Sequence, residues 1–136
     1  MRYVVFNRKG GVGKSTIVVN LAAVAAEAGR KTLIVDLDAQ GNSTQYLLGR
    51  EMSGAKPTVG DFFSETLSLR LLGSDPRRFV HRTPFDNLFL LPADPELQDL
   101  HAKLEARHKI YKLRDLLRSL DSFDQIFIDT PPALNF

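Results

Sequence analysis

Residues 8–16 read Arg8-Lys9-Gly10-Gly11-Val12-Gly13-Lys14-Ser15-Thr16. This glycine-rich stretch lies between a short apolar segment at residues 3–6 and a longer one at residues 17–28. The first segment has the length of a buried strand and the second that of a helix, so the glycines lie where a helix N-terminus receives an anion. The sequence therefore predicts a phosphate-binding loop between a strand and a helix.

The residue types in this loop match what phosphate binding requires. Such a loop needs inward backbone N–H groups, glycines where side chains would block the phosphates, a lysine for their charge and a hydroxyl for Mg²⁺. The alternative to phosphate binding is a glycine-rich turn in which the lysines have no role. That alternative does not explain why the glycines and lysines lie between a predicted strand and a predicted helix. The predicted nucleotide-binding residues are Lys9, Gly10, Gly11, Val12, Gly13, Lys14, Ser15 and Thr16.

Two later apolar strands end in carboxylates. Asp36 and Asp38 follow the strand at residues 32–35, and alternation in an extended chain puts both on one side. Asp129 ends the strand at residues 124–129, and ligands of open α/β sheets bind at the carboxyl ends of strands. We therefore predict that Asp36, Asp38 and Asp129 face one metal and phosphate centre. A cap on the following turn is the alternative role for Asp36 or Asp38.

Strands at residues 3–7, 32–35, 88–91 and 124–129 alternate with helical stretches at residues 14–28 and 95–120. This order favours an α/β fold with a mainly parallel sheet flanked by helices. The polar residues of the first helix share one narrow face, so we expect that helix to be buried on its other sides. Residues 50–84 are interpreted as a variable insertion, and residues 1–136 as a single, incomplete domain.

The composition is that of an ordinary globular protein, with 43% hydrophobic and 25% charged residues among 136 and a net charge of +2. There is no cysteine, which excludes disulfides, thiolate zinc sites and iron–sulfur ligation by this chain and fits a reducing cytoplasm. No apolar run reaches the ~18 residues of a membrane span. We expect a cytoplasmic protein without a transmembrane segment.

Three ordered motifs resemble those of the ParA/MinD family of ATPases. Residues 9–15 resemble its deviant Walker A motif, Lys-Gly-Gly-x-Gly-Lys-Ser/Thr, with Lys9 as the signature lysine. Residues 36–42 are similar to the family's Asp-x-Asp-Pro-Gln-Gly-Asn segment, with Ala39 in place of the common proline. Residues 126–132 resemble the Walker B motif. Arg8 stands where the standard phosphate loop has a glycine.

The resemblance implies a three-layer P-loop NTPase-like fold, truncated after the Walker B strand. It implies ATP and Mg²⁺ as cofactors, slow ATP hydrolysis in plasmid or chromosome partitioning, and a nucleotide sandwich homodimer. Lys9, Lys14 and Asp38 would be catalytic: Lys9 reaches the partner's phosphates and Asp38 positions water. Ser15, Asp36, Asp38 and Asp129 would be the metal residues. A ParB-like centromere-binding protein and nonspecific DNA are the implied partners. In the family the phosphate-loop strand lies between the Walker B strand and a later strand. Because these 136 residues do not include that later strand, residues 3–7 are expected to form an exposed sheet edge.

Two other functions are compatible with these motifs: a division-site ATPase resembling MinD, and a noncatalytic nucleotide-binding regulatory module. A basic stretch at residues 101–118 is interpreted as a solvated helix face, with a DNA-facing patch as the alternative. The basic residues of that stretch are Lys103, Arg107, Lys109, Lys112, Arg114 and Arg118.

Overall fold

The computed structural model describes residues 2–5, 13–37, 41–49, 79–93, 118, 120 and 122–129. Within these ranges the backbone forms a sheet of five strands and two α-helices. In chain order they are β1 (Arg2–Val5), α1 (Gly13–Glu27), β2 (Thr32–Asp36), α2 (Asn42–Leu48), β3 (His81–Arg82), β4 (Leu88–Leu91) and β5 (Gln125–Asp129).

The strands lie side by side in the order β1-β5-β2-β4-β3. The first four run parallel, and β3 pairs antiparallel with β4. The predicted α/β fold with a mainly parallel sheet is thus confirmed. Among the described strands, β1 pairs with β5 alone and lies at the edge of the sheet.

Both faces of the central sheet are covered, which is why its strands are apolar at nearly every position. All five residues of β2 are buried, and alternation sends Leu33 and Val35 to one face and Ile34 to the other. Ile34 packs with α1 and α2 in a cluster of Val18, Ala22, Ala25, Ala26, Ile34, Leu47, Leu88, Leu90 and Phe127. The opposite face packs Leu33, Val35, Leu37, Phe79, Leu91, Leu120, Ile126 and Ile128.

Helix α1 ends where the sequence predicts. Gly29 has a φ of 84°, its N–H donates to the Ala26 carbonyl at 3.0 Å, and the Arg30 N–H donates to the Ala25 carbonyl at 3.2 Å. This pair of bonds is a Schellman motif, which requires a left-handed residue and so favours glycine. Among the described residues, neither this helix nor the shorter α2 is long and apolar enough to cross a bilayer.

The expectation that α1 is buried on all but its polar face is wrong. Ile17, Leu21 and Val24 are 53%, 49% and 66% exposed, and their i, i+4, i+7 spacing places them on one face. Helix α1 packs on the sheet and against α2, and no described element covers this third side. We call these three side chains the apolar stripe.

The other sequence-based elements have mixed outcomes. The strand at residues 88–91 is confirmed with the predicted bounds. The strand His81–Arg82 lies within the segment interpreted as an insertion and was not predicted. The predicted helix at residues 95–120, with most of its basic side chains, lies outside the described residues.

Candidate functional site

Two carboxylates lie side by side at the carboxyl edge of the sheet. Asp36 is the last residue of β2 and Asp129 the last of β5, and they are paired in the parallel register. Strand alternation places both on the face covered by α1 and α2, since Ile34 and Phe127 pack there. Both residues are fully buried. The Leu37 N–H donates to the Asp129 carbonyl at 2.9 Å, which joins the two strands beyond their paired residues.

Ser15 connects the first helix to this carboxylate pair. Its Oγ donates to Asp129 Oδ2 at 2.6 Å, and the serine is only 3% exposed. Ser15 lies in the first turn of α1, where the predicted phosphate loop runs into the helix. The structure therefore brings together two of the predicted metal residues that are far apart in sequence.

The first turn of α2 supplies further donors. Ser43 Oγ donates to Asp129 Oδ2 at 2.6 Å. The Thr44 N–H and Oγ1 both donate to Asp36 Oδ2, at 3.0 and 2.8 Å. Thr44 Oγ1 also accepts the backbone N–H of Ala93, which follows β4, at 2.9 Å. We call Ser43 and Thr44 the donor pair, because together they hold both carboxylates.

Sequence reasoning missed the donor pair because it predicted no helix at residues 42–48. Two glycines bound this helix: Gly41, with φ 67° and ψ 31°, precedes it, and Gly49, with φ 77°, follows it. Seven residues are too few to show helical periodicity. The one available signal was the glycine at each end, with serine and threonine in the first turn between them.

The structure bears directly on the two roles considered for Asp36. Its carboxylate accepts the N–H of Thr44, the third residue of α2, and so satisfies an N-terminal donor of that helix in the manner of a cap. This bond differs from a cap on the turn that directly follows Asp36, because its donor lies in α2. The metal role of Asp36 stays a prediction.

The chemistry of these side chains fits Mg²⁺. The donors that meet here are two carboxylates and serine hydroxyls, and Mg²⁺ prefers oxygen ligands. The described residues contain no group of three His, Cys, Asp or Glu side chains arranged to hold a metal. Mg²⁺ is usually bound through one or two carboxylates together with substrate phosphates, so the site suits a cation shared with a phosphate ligand.

The remaining predicted site residues are only partly described. Gly13 and Lys14 begin α1, and Thr16 is exposed on its first turn. The other predicted residues lie outside the described residues, so their roles stay predictions; they are Lys9, Gly10, Gly11, Val12 and Asp38.

Comparison with known proteins gives a consistent result. The AAA domain family matches residues 2–136. The chain is 40% identical over 131 residues to the chromosome partitioning protein ParA of Myxococcus xanthus, covering 94% of this chain and 43% of that protein. It is 38% identical over 135 residues to the chromosome-partitioning ATPase Soj of Thermus thermophilus, covering 98% of this chain and 47% of that protein. The chain thus spans about half the length of the curated relatives it matches.

A solved structure supports the same fold. The chain is similar to cobyrinic acid a,c-diamide synthase from Mycobacterium smegmatis, whose structure holds an ATP analog and magnesium, with a TM-score of 0.80 and 33% identity. The match covers 97% of this chain and 51% of the synthase. The predicted P-loop NTPase-like fold is confirmed.

Proposed function

Because this chain belongs to the AAA domain family, and within it to the ParA/MinD ATPases with a deviant Walker A motif, we propose that it binds ATP with Mg²⁺ and hydrolyses it slowly. The observation that most directly supports this proposal is the 2.6 Å hydrogen bond from Ser15 Oγ to Asp129 Oδ2. A P-loop serine and a carboxylate at the end of a neighbouring strand are the two protein groups that such sites direct at the metal.

The roles proposed for the loop follow from its chemistry. Lys14 and the backbone N–H groups of residues 10–15 would bind the β- and γ-phosphates and stabilise the charge that develops on the transferred phosphoryl group. Bound Mg²⁺ would neutralise phosphate charge, held by Ser15 with Asp129 and Asp36 as supporting carboxylates. Asp38 would orient the attacking water, and the partner's Lys9 would add a positive charge across a nucleotide sandwich dimer.

We further propose that the activity serves DNA partitioning in the cytoplasm. The two relatives named above are a chromosome partitioning protein and a chromosome-partitioning ATPase. By this proposal the partners are a second copy of the chain, a ParB-like centromere-binding protein and nonspecific DNA. Whether the cargo is a plasmid or a chromosome depends on the partner that is bound.

A phosphate-release assay tests the proposal. We expect slow, Mg²⁺-dependent release by the unaltered chain, loss of release in Lys14→Ala and Asp38→Ala, and no change in Asp86→Ala. Asp86 is a suitable control because it is an exposed acidic residue in the turn before β4, at the opposite end of the sheet from the carboxylate pair. Unchanged phosphate release by both Lys14→Ala and Asp38→Ala would contradict the proposal.

A noncatalytic nucleotide-binding module is the second candidate, because the predicted loop residues can bind phosphates whether or not a water is activated for attack. This candidate predicts that titration calorimetry detects ATP binding while phosphate release stays at the background rate. The same calorimetry with Lys14→Ala is the control: ATP binding at the phosphate loop should be lost in this variant, whereas nonspecific binding of ATP elsewhere should remain.

A further inference from the structure

Asp129 Oδ2 accepts two hydroxyl donors from two different helices. Ser15 Oγ on α1 and Ser43 Oγ on α2 each lie 2.6 Å from it, and all three residues are buried. Ser15 belongs to the proposed phosphate loop, whereas Ser43 has no place in that loop or in either acidic motif. Its contact with the carboxylate therefore calls for an explanation of its own.

We propose that Ser43 is a positioning residue for the metal site: its hydroxyl fixes the orientation of the Asp129 carboxylate and so raises the affinity for Mg²⁺. The inference rests on the proposed function, because it concerns the cation that would accompany ATP. Ser43 itself is not proposed to contact metal or nucleotide.

A single serine hydroxyl can donate only one hydrogen bond. A serine has one O–H donor and two acceptor lone pairs. Ser15 therefore has one proton to donate to Asp129, and its lone pairs could accept the proposed metal. A second hydrogen bond from another helix restricts the rotation of the Asp129 carboxylate further.

Asp36 and Asp129 are in-register neighbours on parallel strands and are both fully buried. Hydrogen bonds to buried carboxyl groups offset the cost of removing them from water. Ser43 supplies such a bond to Asp129, and its neighbour Thr44 supplies two to Asp36. The donor pair thus keeps both acidic groups oriented before any cation arrives.

The test is a Mg²⁺ titration of ATP binding with Ser43→Ala, Ser43→Thr and Gln45→Ala. Ser43→Thr keeps the hydroxyl, and Gln45 is an exposed side chain on the same helix, so it serves as the matched control. Outer hydrogen-bond partners of metal ligands typically contribute 10- to 100-fold to metal affinity. We expect the Mg²⁺ midpoint to rise about 10-fold in Ser43→Ala and to stay near that of the unaltered chain in the other two variants. ATP affinity in excess chelator should be equal in all four proteins.

Three results would overturn the inference. One is a folded Ser43→Ala with an unchanged Mg²⁺ midpoint, while the unaltered chain binds ATP in a Mg²⁺-dependent way. That result would reject the role of Ser43 and leave the proposed function in place. Another is an equal loss of ATP affinity with and without Mg²⁺ in Ser43→Ala, which would show a general structural role. The third is an unaltered chain whose ATP binding does not respond to Mg²⁺, which would remove the proposed function as well. Circular dichroism of each variant establishes that it is folded.

Discussion

Asp36 and Asp129 are paired in register as the last residues of two adjacent parallel strands, and both side chains are fully buried. Adjacent strands lie about 4.8 Å apart, so the two carboxylates share one small, water-poor space. Each is stabilised by donors from the flanking helices, through Ser15 and Ser43 for Asp129 and Thr44 for Asp36. A cation at this position would add the positive charge that these neutral donors lack.

Asp129→Asn should therefore fold but lose its response to Mg²⁺. Asparagine keeps an oxygen that can accept the bonds from Ser15 and Ser43, yet it carries no charge to attract the cation. At a ligand concentration 100 times Kd, Mg²⁺ and ATP should stabilise the unaltered chain by about 2.7 kcal/mol and the variant by less than about 1 kcal/mol. Thermal unfolding with and without ligand measures both values.

Asp86→Asn is the matched control for that charge change, because Asp86 is an exposed acidic residue far from the carboxylate pair. It should keep the full ligand-dependent stabilisation. Equal stabilisation of Asp129→Asn and Asp86→Asn would contradict the assignment of Asp129 to the metal site.

Thr44→Val should destabilise the fold even without ligand. The Thr44 hydroxyl donates to Asp36 Oδ2 and accepts the Ala93 N–H, so valine removes a donor from a buried charge and the acceptor of a buried amide. An unsatisfied buried polar group costs about 1–3 kcal/mol, and we expect a loss of about 2 kcal/mol in the free energy of unfolding. Denaturant unfolding measures it. Thr44→Ser keeps the hydroxyl and should lose much less, whereas equal losses would refute this role of the hydroxyl.

Gly41→Ala and Gly29→Ala separate backbone strain from an effect on the site. Both glycines have positive φ, 67° and 84°, and an added Cβ meets nothing closer than 3.7 Å at Gly41 and nothing within 4 Å at Gly29. Left-handed backbone costs a non-glycine residue about 1–2 kcal/mol, so both variants should lose stability by similar amounts. Only Gly41→Ala should also weaken Mg²⁺-dependent ATP binding, because Gly41 begins the helix that holds the donor pair. Equal binding by both variants would contradict this distinction.

The parts of the fold that the sequence predicts are those with a strong local cause. The strands β2, β4 and β5 each contain a continuous apolar run bounded by polar residues or proline, as expected for parallel strands buried on both faces. Helix α1 is long and has Gly29 at its C-terminal end. The meeting of Ser15 and Asp129 was also predictable, because carboxyl ends of parallel strands share one edge.

The parts that it does not predict depend on tertiary contacts. Helix α2 is too short for a periodic signal, and the side chain that satisfies its Thr44 N–H comes from β2. Strand β3 has two residues and exists only through its pairing with β4. The exposure of Val24 depends on which elements pack against α1. An apolar residue type in the sequence does not by itself show whether another element covers that side chain in the fold.

Two features of the described residues lead us to expect self-association of the 136-residue chain. Strand β1 pairs on one side only among the described strands, and edge strands readily pair with another chain. The apolar stripe of Ile17, Leu21 and Val24 is about half exposed or more, and contiguous exposed apolar groups mark interaction surfaces. Light scattering without nucleotide should therefore report a mass above that of the monomer.

Lysine substitutions on α1 test the contribution of the apolar stripe to this association. Leu21→Lys and Val24→Lys place a charge on side chains that are 49% and 66% exposed, so the fold should tolerate them while the association weakens. Gln45→Lys adds the same charge at an exposed polar position of α2, outside the stripe, and should leave the association unchanged. If β1 alone joins the copies, all three variants will associate like the unaltered chain. A stable, compact monomer of the unaltered chain at high concentration would contradict the prediction altogether, because neither the strand edge nor the stripe would then be a surface on which copies meet.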